Sequence, residues 1–249
     1  MAHAWREGGF VVALSGVDSS GKSTQRDLLL DALRSAGHEP VTFWSRPGYT
    51  PGLEAIKRLV RRVAGREKAP RKERASGSPG RYPRRAASLR HPLRRRLWLG
   101  VALLDLLWSY AVRVRIWKRS GRAVICDCYL LDCLVDFRVN FPDDRVEDRL
   151  LWRWLRRLSV RPAAAFCLIV PVEVSVARSR AKARFHWEDE DTVARRGREY
   201  LAACEELGVE VLDGTLRAEE LAQAIERGVA RALRGTVVGP GRPVAAGRR

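Results

Sequence analysis

The sequence predicts an α/β protein with a doubly wound, five-stranded parallel sheet covered by helices on both faces. Five short apolar runs, which are typical of buried strands, alternate with longer segments in which apolar residues recur at helical spacing. The chain has 249 residues, which is enough to build one large domain around such a sheet.

The first predicted strand is Phe10–Gly16, an apolar run that ends in glycine and is typical of a buried parallel strand. The other four runs, in chain order, are PVTFWS from Pro40, AVICD from Ala123, AAAFCLIV from Ala163 and VEVLDG from Val209. In open α/β sheets ligands bind beyond the carboxyl ends of the strands. The residues that follow these runs are therefore candidates for a ligand site.

The predicted helices carry apolar residues three and four positions apart. One of them extends from about Pro92 to Arg119, and the others begin near Ser23, Pro51, Asp143, Val172, Thr192 and Arg217. Residues 65–91 lack apolar periodicity and are predicted to form a long basic loop. Residues 1–9 are predicted to be an N-terminal extension, residues 10–235 the folded domain and residues 236–249 a flexible tail.

The net charge of +18 is concentrated in one region, because 16 basic and two acidic residues lie between Lys57 and Arg96. No run approaches the roughly 18 apolar residues that span a bilayer. The longest apolar region, Leu97–Ala111, is interrupted by Asp105. The five cysteines show no regular spacing, which favours reduced thiols over disulfides or a zinc site. These features predict a cytoplasmic protein with no membrane partner.

The segment Gly16–Ser23, GVDSSGKS, matches the phosphate-loop pattern G-x-x-x-x-G-K-[ST], with a predicted strand before it and a predicted helix after it. Glycines let successive backbone N–H groups turn toward phosphate oxygens, and the helix N-terminus adds positive potential. Lys22 is expected to contact the β and γ phosphates, and the Ser23 hydroxyl is expected to bind Mg²⁺. The predicted nucleotide contacts are Gly16, Ser19, Ser20, Gly21, Lys22, Ser23 and Thr24.

Asp18 followed by SSGKSTQ resembles the thymidylate kinase family of nucleoside monophosphate kinases. Other segments agree with that family in order and spacing, and they are RPGYTPGLEAIKRLV from Arg46, AVICDCY from Ala123, ARSRAKAR followed by EDED, and VEVLDGTLRAEEL from Val209. The resemblance covers roughly Phe10 to Leu233. It implies a P-loop kinase domain over residues 10–235 that uses ATP and Mg²⁺, with an acceptor-binding helical segment and a lid at about residues 178–190.

Asp127 ends the third predicted strand, where a carboxylate can hold a water of the Mg²⁺ shell. Asp127 and Ser23 are therefore the predicted metal residues. Phosphoryl transfer accumulates charge on the migrating group, so Lys22, Asp127, Arg178 and Arg180 are the candidate catalytic residues. The resemblance places the Asp18 carboxylate near the sugar of the acceptor nucleotide. The other predicted acceptor contacts are Arg46, Tyr49, Cys128 and Tyr129.

The acceptor side departs from the family that the chain resembles. In that family the residue after the strand aspartate is an arginine that binds the acceptor's phosphate. Here it is Cys128, and a thiol cannot make the bidentate charged contact of a guanidinium. Arg46 is a candidate to supply the missing charge, whereas the family's base-reading arginine would fall near Leu107. The expected acceptor is thus an anionic nucleoside monophosphate or a related small metabolite, with an altered binding site.

Two alternatives stay open at the level of sequence. The missing arginine at position 128 favours a kinase that acts on an uncharged nucleoside or another small alcohol. The basic region instead favours a degenerate nucleotide-binding protein that holds nucleic acid, although the intact Lys22, Ser23 and Asp127 argue against it. Nucleic acid is accordingly the less favoured partner, and a homodimer is a candidate assembly.

Overall fold

The computed structural model describes residues 8–47, 91–181 and 189–235. Five strands form one sheet in the order β2-β3-β1-β4-β5, and every pair of neighbours is parallel. The strands are β1 (Phe10–Gly16), β2 (Pro40–Trp44), β3 (Ala123–Asp127), β4 (Ala164–Ile169) and β5 (Glu210–Asp213). The predicted five-stranded parallel sheet is confirmed.

Helices cover both faces of this sheet. In the described residues they are α1 (Lys22–Ser35), α2 (Pro92–Leu107), α3 (Val114–Arg119), α4 (Leu130–Asn140), α5 (Leu150–Leu158), α6 (Val172–Ala181), α7 (Glu190–Leu207) and α8 (Ala218–Leu233). A π-helical turn, Trp108–Arg113, joins α2 to α3. The fold is that of a P-loop NTPase, as the sequence predicts.

The alternation of side chains along β1 divides the core into two parts. Phe10, Val12 and Leu14 pack with leucines of α1 and α8 on one face. Val11 and Ala13 pack on the other face with α2, α4 and α7. Since successive strand residues point to opposite faces, a fully buried strand must be apolar throughout. This explains why β1 shows no polar positions before Ser15.

Helix α4 is absent from the sequence prediction. Eight of its 11 residues are buried, and its apolar residues are not confined to one stripe, so the usual pattern of an amphipathic helix is missing. The helix predicted from Asp143 begins only at Leu150, after two 3₁₀ turns at Pro142–Asp144 and Val146–Asp148. Both differences arise where tertiary packing, rather than amphipathicity, determines the local structure.

The stretch Pro92–Arg119 is helical along its whole length, as predicted, except that the π-helical turn widens it. By length and composition alone these 28 residues are long and apolar enough to cross a membrane, which the sequence prediction did not anticipate. In its most apolar 18-residue stretch, 44% of this helix is buried inside the protein. Core helices of soluble proteins have the same length and composition, so this one helix is weak evidence for a membrane span.

Several predicted features lie outside the described residues. They are the helix from Pro51, nearly all of the basic loop 65–91, most of the N-terminal extension, the central part of the lid and the tail 236–249. Their boundaries stay predictions.

Candidate active site

The candidate site lies at the carboxyl edge of the sheet, where β1 and β3 end side by side. Leu14 of β1 is in register with Asp127 of β3, so the phosphate loop and the Asp127 carboxylate emerge from adjacent strands. In the strand order, the connection from β1 runs across β3 to β2, whereas the connection from β3 runs across β1 in the opposite direction to β4. Ligands of open α/β sheets bind at such a switch point.

The backbone of the phosphate loop requires glycine at its first position. Gly16 has a φ of 139°, and a Cβ there would lie 2.1 Å from the carbonyl oxygen of Leu168. Gly21 has a φ of 101° and directly precedes α1. Ser19 is one of the few non-glycine residues described with a positive φ, at 59°. The loop therefore curls sharply between β1 and α1, as a phosphate cradle must.

Polar groups in this loop fit a triphosphate. The Lys22 ammonium donates hydrogen bonds to the carbonyl oxygens of Gly16 and Val17, both at 2.7 Å, which holds its charge over the loop. The Ser20 hydroxyl is buried and has no hydrogen-bond partner among the described residues. The first turn of α1 contains no acidic residue, so its N-terminal potential is unopposed. These features suit an anionic ligand.

Two oxygen donors suit a hard cation. Ser23 is exposed in the first turn of α1, and Asp127 is 8% exposed at the end of β3. Hydroxyl and carboxylate oxygens are the ligands that Mg²⁺ prefers when phosphates and waters complete its shell. Among the described residues there is no cluster of three or more acidic, histidine or cysteine side chains arranged for a metal. Any Mg²⁺ here would consequently depend on the nucleotide for most of its ligands.

Helix α6 lines the phosphate loop. Ser175 donates to the backbone carbonyl of Asp18 at 2.8 Å, and the hydroxyls of Ser19 and Ser179 lie 2.8 Å apart. Arg178 donates to the carbonyl of Gly214, at the turn after β5, at 3.0 Å. This places Arg178 beside the loop. Arg180 is exposed and lies 3.5 Å from Glu190, so the two candidate lid arginines have different surroundings.

Cys128 and Tyr129 are both buried, although the sequence places them at the acceptor. Cys128 has a φ of 76°, and its amide donates to the carbonyl of Leu14. Burial raises the pKa of its thiol to about 12, so it is a neutral group rather than a nucleophile at neutral pH. The Tyr129 hydroxyl donates to the carbonyl of Val160 at 2.7 Å, and its ring packs on Tyr110. Direct contact of either side chain with the acceptor stays a prediction.

A buried carboxylate that the sequence prediction did not identify joins strand β1 to helices α4 and α7. Asp132 is fully buried and accepts hydrogen bonds from the Ser15 hydroxyl, the Tyr129 amide and the Tyr200 hydroxyl at 2.6, 3.0 and 2.8 Å. Its burial raises its pKa, while the nearby Lys22 opposes that rise. Asp132 thereby ties β1 to α4 and to α7, behind the phosphate loop.

Arg46, which the sequence proposes as an acceptor contact, belongs to a second buried cluster. Arg196 of α7 donates to Asp136 Oδ1 at 2.7 Å, and Arg46 Nε lies 3.7 Å from Asp136 Oδ2. Asp136 is only 3% exposed. Burial raises the pKa of the Cys128 thiol, and the positive charge of Arg46 opposes that rise. That Arg46 supplies the charge missing at position 128 stays a prediction.

Sequence reasoning missed Asp132, Asp136 and Arg196 because it did not recognise α4. One signal was available: two aspartates four residues apart lie on one face of a mostly apolar segment. Buried carboxylates are seldom found without partners, so such a pair predicts buried donors from elsewhere in the chain. Tyr49, the remaining predicted acceptor contact, lies outside the described residues.

The buried thiols and phenols of this region predict an alkaline loss of stability. Burial raises the pKa of Cys128 from 9.0 to about 12, and it also raises the pKa values of Cys126, Cys133, Tyr110 and Tyr200. The folded state therefore holds these protons more tightly than the unfolded chain does. Their contribution is complete below about pH 9 and is lost as the pH rises toward 12.

We expect the midpoint of urea unfolding to be insensitive to these groups between pH 6 and 8, and to fall steadily above about pH 9. A midpoint that stays constant up to pH 11 would mean that the thiols and phenols titrate as they do in the unfolded chain.

Comparison with known proteins identifies relatives of one kind. The chain is 30% identical to the thymidylate kinase of Ruegeria pomeroyi over 176 residues. This alignment covers 71% of this chain and 69% of that protein. It is 27% identical over 234 residues to the thymidylate kinase of Symbiobacterium thermophilum, covering 89% and 93% of the two chains. A 52-residue stretch is 46% identical to the Gluconobacter oxydans thymidylate kinase, over 21% of this chain and 24% of that protein. A scan against protein-family models finds no match.

Proposed function

This chain belongs to the thymidylate kinase family, and we propose that it transfers the terminal phosphoryl group of ATP to an anionic nucleoside monophosphate or a related small metabolite. The observation that carries the proposal is the curled loop after β1, whose carbonyl groups hold the Lys22 ammonium, next to the adjacent strand β3, which ends at Asp127. The family accounts for the kinase activity. The altered acceptor site is inferred from this chain's own residues.

On the donor side, the loop amides and the N-terminus of α1 would bind the phosphates, and Lys22 would stabilise charge on the oxygens of the migrating group. Ser23 and Asp127 would hold Mg²⁺, and the ion would supply positive charge to the phosphates. Two serines of α6 hold the loop in place: Ser175 donates to the Asp18 carbonyl, and Ser179 contacts the Ser19 hydroxyl. These contacts support a loop that is shaped before the nucleotide arrives.

Arg178 and Arg180, the candidate lid arginines, would also stabilise the charge on the migrating phosphoryl group. Arg178 donates to the Gly214 carbonyl, beside the loop, and is the candidate to contact a phosphate without lid closure. Arg180 is exposed and bonded to Glu190, so it would reach the site only when the lid closes. We therefore propose that Arg178 can contact the phosphates before the lid closes, and that Arg180 contacts them only after it closes.

On the acceptor side, Arg46 is proposed to bind the anionic group that the family binds with an arginine at position 128. The buried Asp136–Arg196 pair supports this role because it fixes the place of the Arg46 guanidinium. The Nε of Arg46 lies 3.7 Å from Asp136 Oδ2, so the carboxylate attracts the guanidinium and helps to orient it. A guanidinium oriented in this way suits a phosphate or carboxylate.

The proposal is tested by a panel of nucleoside monophosphates, unphosphorylated nucleosides and small phosphorylated metabolites, each with ATP and Mg²⁺, and ADP release as the measurement. Saturable release that requires an anionic acceptor supports the proposal. Release only with uncharged nucleosides or alcohols would favour the second candidate, a nucleoside kinase. Salt-sensitive binding of random DNA or RNA, with no release on any acceptor, would favour a nucleic-acid-binding protein.

A homodimer formed through α2 is a further part of the proposal. Leu93, Leu97, Leu104 and Trp108 are 52–70% exposed and lie on one side of the helix, opposite to its buried residues. A second copy related by a twofold axis would lay this stripe against itself. Burying four large apolar side chains is favourable, whereas leaving them in water as one stripe is unusual for a monomer.

We expect Leu97→Glu combined with Leu104→Glu to turn a dimer into a folded monomer in sedimentation velocity. Leu201→Glu, on the exposed face of α7, is the matched control and should leave the dimer intact. A monomer in the parent protein at micromolar concentration would refute the dimer. Binding of the parent to phospholipid vesicles through the same stripe would instead identify a membrane as the occupant.

A cytoplasmic location completes the proposal. All five cysteines are free and buried, which suits a compartment that keeps thiols reduced.

A further inference from the structure

Arg26 binds the carboxylate that the kinase reaction would use for its metal. Its guanidinium NH1 donates to Asp127 Oδ2 at 2.9 Å, and the same guanidinium contacts Asp27 Oδ1 through Nε and NH2, also at 2.9 Å. Arg26 is 29% exposed and Asp127 is 11% exposed at their side chains, whereas Asp27 is 60% exposed. One cation is therefore shared between a surface carboxylate and a carboxylate of the site.

The position of Arg26 follows from the phosphate loop itself. It lies in the second turn of α1, three residues after Ser23 and four after Lys22, so the three side chains occupy one side of the helix. Asp127 approaches that side from the end of β3, a separation of 101 residues along the chain. Nothing about Arg26 in the sequence distinguishes it from an ordinary solvent-exposed arginine of an amphipathic helix.

We propose that Arg26 controls the access of the divalent cation to Asp127, and that Asp27 sets how strongly Arg26 does so. This inference rests on the proposed function, because it takes Asp127 to be the metal-associated carboxylate. Arg26 thereby becomes a positioning residue that acts through Asp127. It sets the concentration of metal that the enzyme needs.

The direction of the effect follows from charge. A guanidinium hydrogen-bonded to a carboxylate cancels much of the negative potential that would attract a second cation. A hydrated Mg²⁺ beside Asp127 must therefore share the carboxylate with Arg26 or displace it. Asp27 competes for the same guanidinium, so it weakens the hold of Arg26 on Asp127. Removing Arg26 should strengthen metal binding, and removing Asp27 should weaken it.

The opposite direction would follow if Arg26 merely oriented Asp127 for the metal, as outer contacts of metal ligands often do. Removing Arg26 would then weaken metal binding, and the neighbouring Asp27 would have little effect. The sign of the change separates the two roles, and tighter metal binding would not result from a general loss of stability.

The experiment titrates Mn²⁺ into the protein saturated with a non-hydrolysable ATP analogue, and follows bound metal by electron paramagnetic resonance. The variants are Arg26→Gln, Asp27→Asn and the double variant. Arg34→Gln is the matched control, because Arg34 pairs with Asp31 at 3.1 Å on the same helix, far from the loop. The Mg²⁺ dependence of ADP release is measured in parallel.

For Arg26→Gln we expect the Mn²⁺ concentration at half-saturation to fall about two- to fivefold, the scale of a partly exposed ion pair. For Asp27→Asn we expect it to rise about twofold. The double variant should match Arg26→Gln, because Asp27 acts only through Arg26. The control should match the parent.

Weaker metal binding in Arg26→Gln, or an effect of Asp27→Asn that persists in the double variant, overturns the inference. So does a raised KM for the acceptor with metal binding unchanged, which would make Arg26 an acceptor contact. In each of these cases phosphoryl transfer by the parent would still stand. Absence of transfer by the parent on every acceptor would instead refute the proposed function.

Discussion

Replacing Lys22 with alanine is expected to reduce kcat for phosphoryl transfer by about a hundredfold to a thousandfold or more while the fold is kept. The ammonium is placed over the phosphate loop by two carbonyl groups, and no other described lysine lies at the site. It would stabilise charge that develops on the migrating group, and the loss of one such preorganised donor typically costs two to three powers of ten. The measurement is kcat by ADP release at saturating ATP.

The fold should survive because Lys22 is not one of the buried apolar residues that form the core. Its described hydrogen bonds are made only to the loop that carries it. Lys118→Ala, at an exposed lysine in α3, is the matched control and should change neither kcat nor the melting temperature. A Lys22→Ala variant with near-normal turnover and an unchanged melting temperature would contradict the role assigned to the phosphate loop.

Replacing Arg46 with methionine is expected to raise the KM for an anionic acceptor by about thirtyfold or more, with a much smaller change in the KM for ATP. Truncating one partner of a buried charged contact usually costs about 2–5 kcal/mol. Methionine keeps the volume of the aliphatic stem. Asp136 also has Arg196 as a partner, at 2.7 Å in the parent, so its carboxylate should not be left without a counter-charge. The loss should therefore fall on binding of the acceptor rather than on the fold.

Two further variants sharpen this test. Arg46→Lys keeps the charge but loses the planar guanidinium, so it should recover part of the acceptor affinity. Arg198→Met replaces an exposed arginine on the helix that carries Arg196, and it should behave as the parent. An unchanged acceptor KM in Arg46→Met, with normal turnover, would show that the acceptor's anionic group binds elsewhere. If the acceptors turned over are uncharged alcohols, that result would favour a nucleoside kinase.

The sequence predicts the sheet and the phosphate loop because their signals are local. Phe10–Gly16 is apolar throughout, and the loop motif follows it directly, so strand, loop and helix α1 could all be placed from about 25 consecutive residues. The other four strands are equally distinct as short apolar runs. These features do not depend on knowing which distant residues come together.

The buried polar contacts could not be predicted in the same way. Ser15 and Asp132 are 117 residues apart, and Asp132 and Tyr200 are 68 residues apart. Their pairing depends on α4, which is buried on most sides and therefore lacks the periodicity that identifies a helix. In the sequence Arg26 is indistinguishable from an ordinary surface arginine of a helix, so its contact with Asp127, 101 residues away, could not be predicted. Local patterns thus predict the donor side, whereas the contacts proposed for the acceptor side depend on the tertiary structure.

The most direct test of the central claim follows the phosphoryl group itself. The protein is incubated with Mg²⁺ and ATP labelled in its γ phosphate, together with thymidine monophosphate, other nucleoside monophosphates and the matching nucleosides, and the products are separated by chromatography. We predict that the label moves to an anionic acceptor in the parent protein and does not move in Lys22→Ala. Label that appears only as inorganic phosphate, or that stays in ATP with every acceptor, would contradict a kinase with an anionic acceptor.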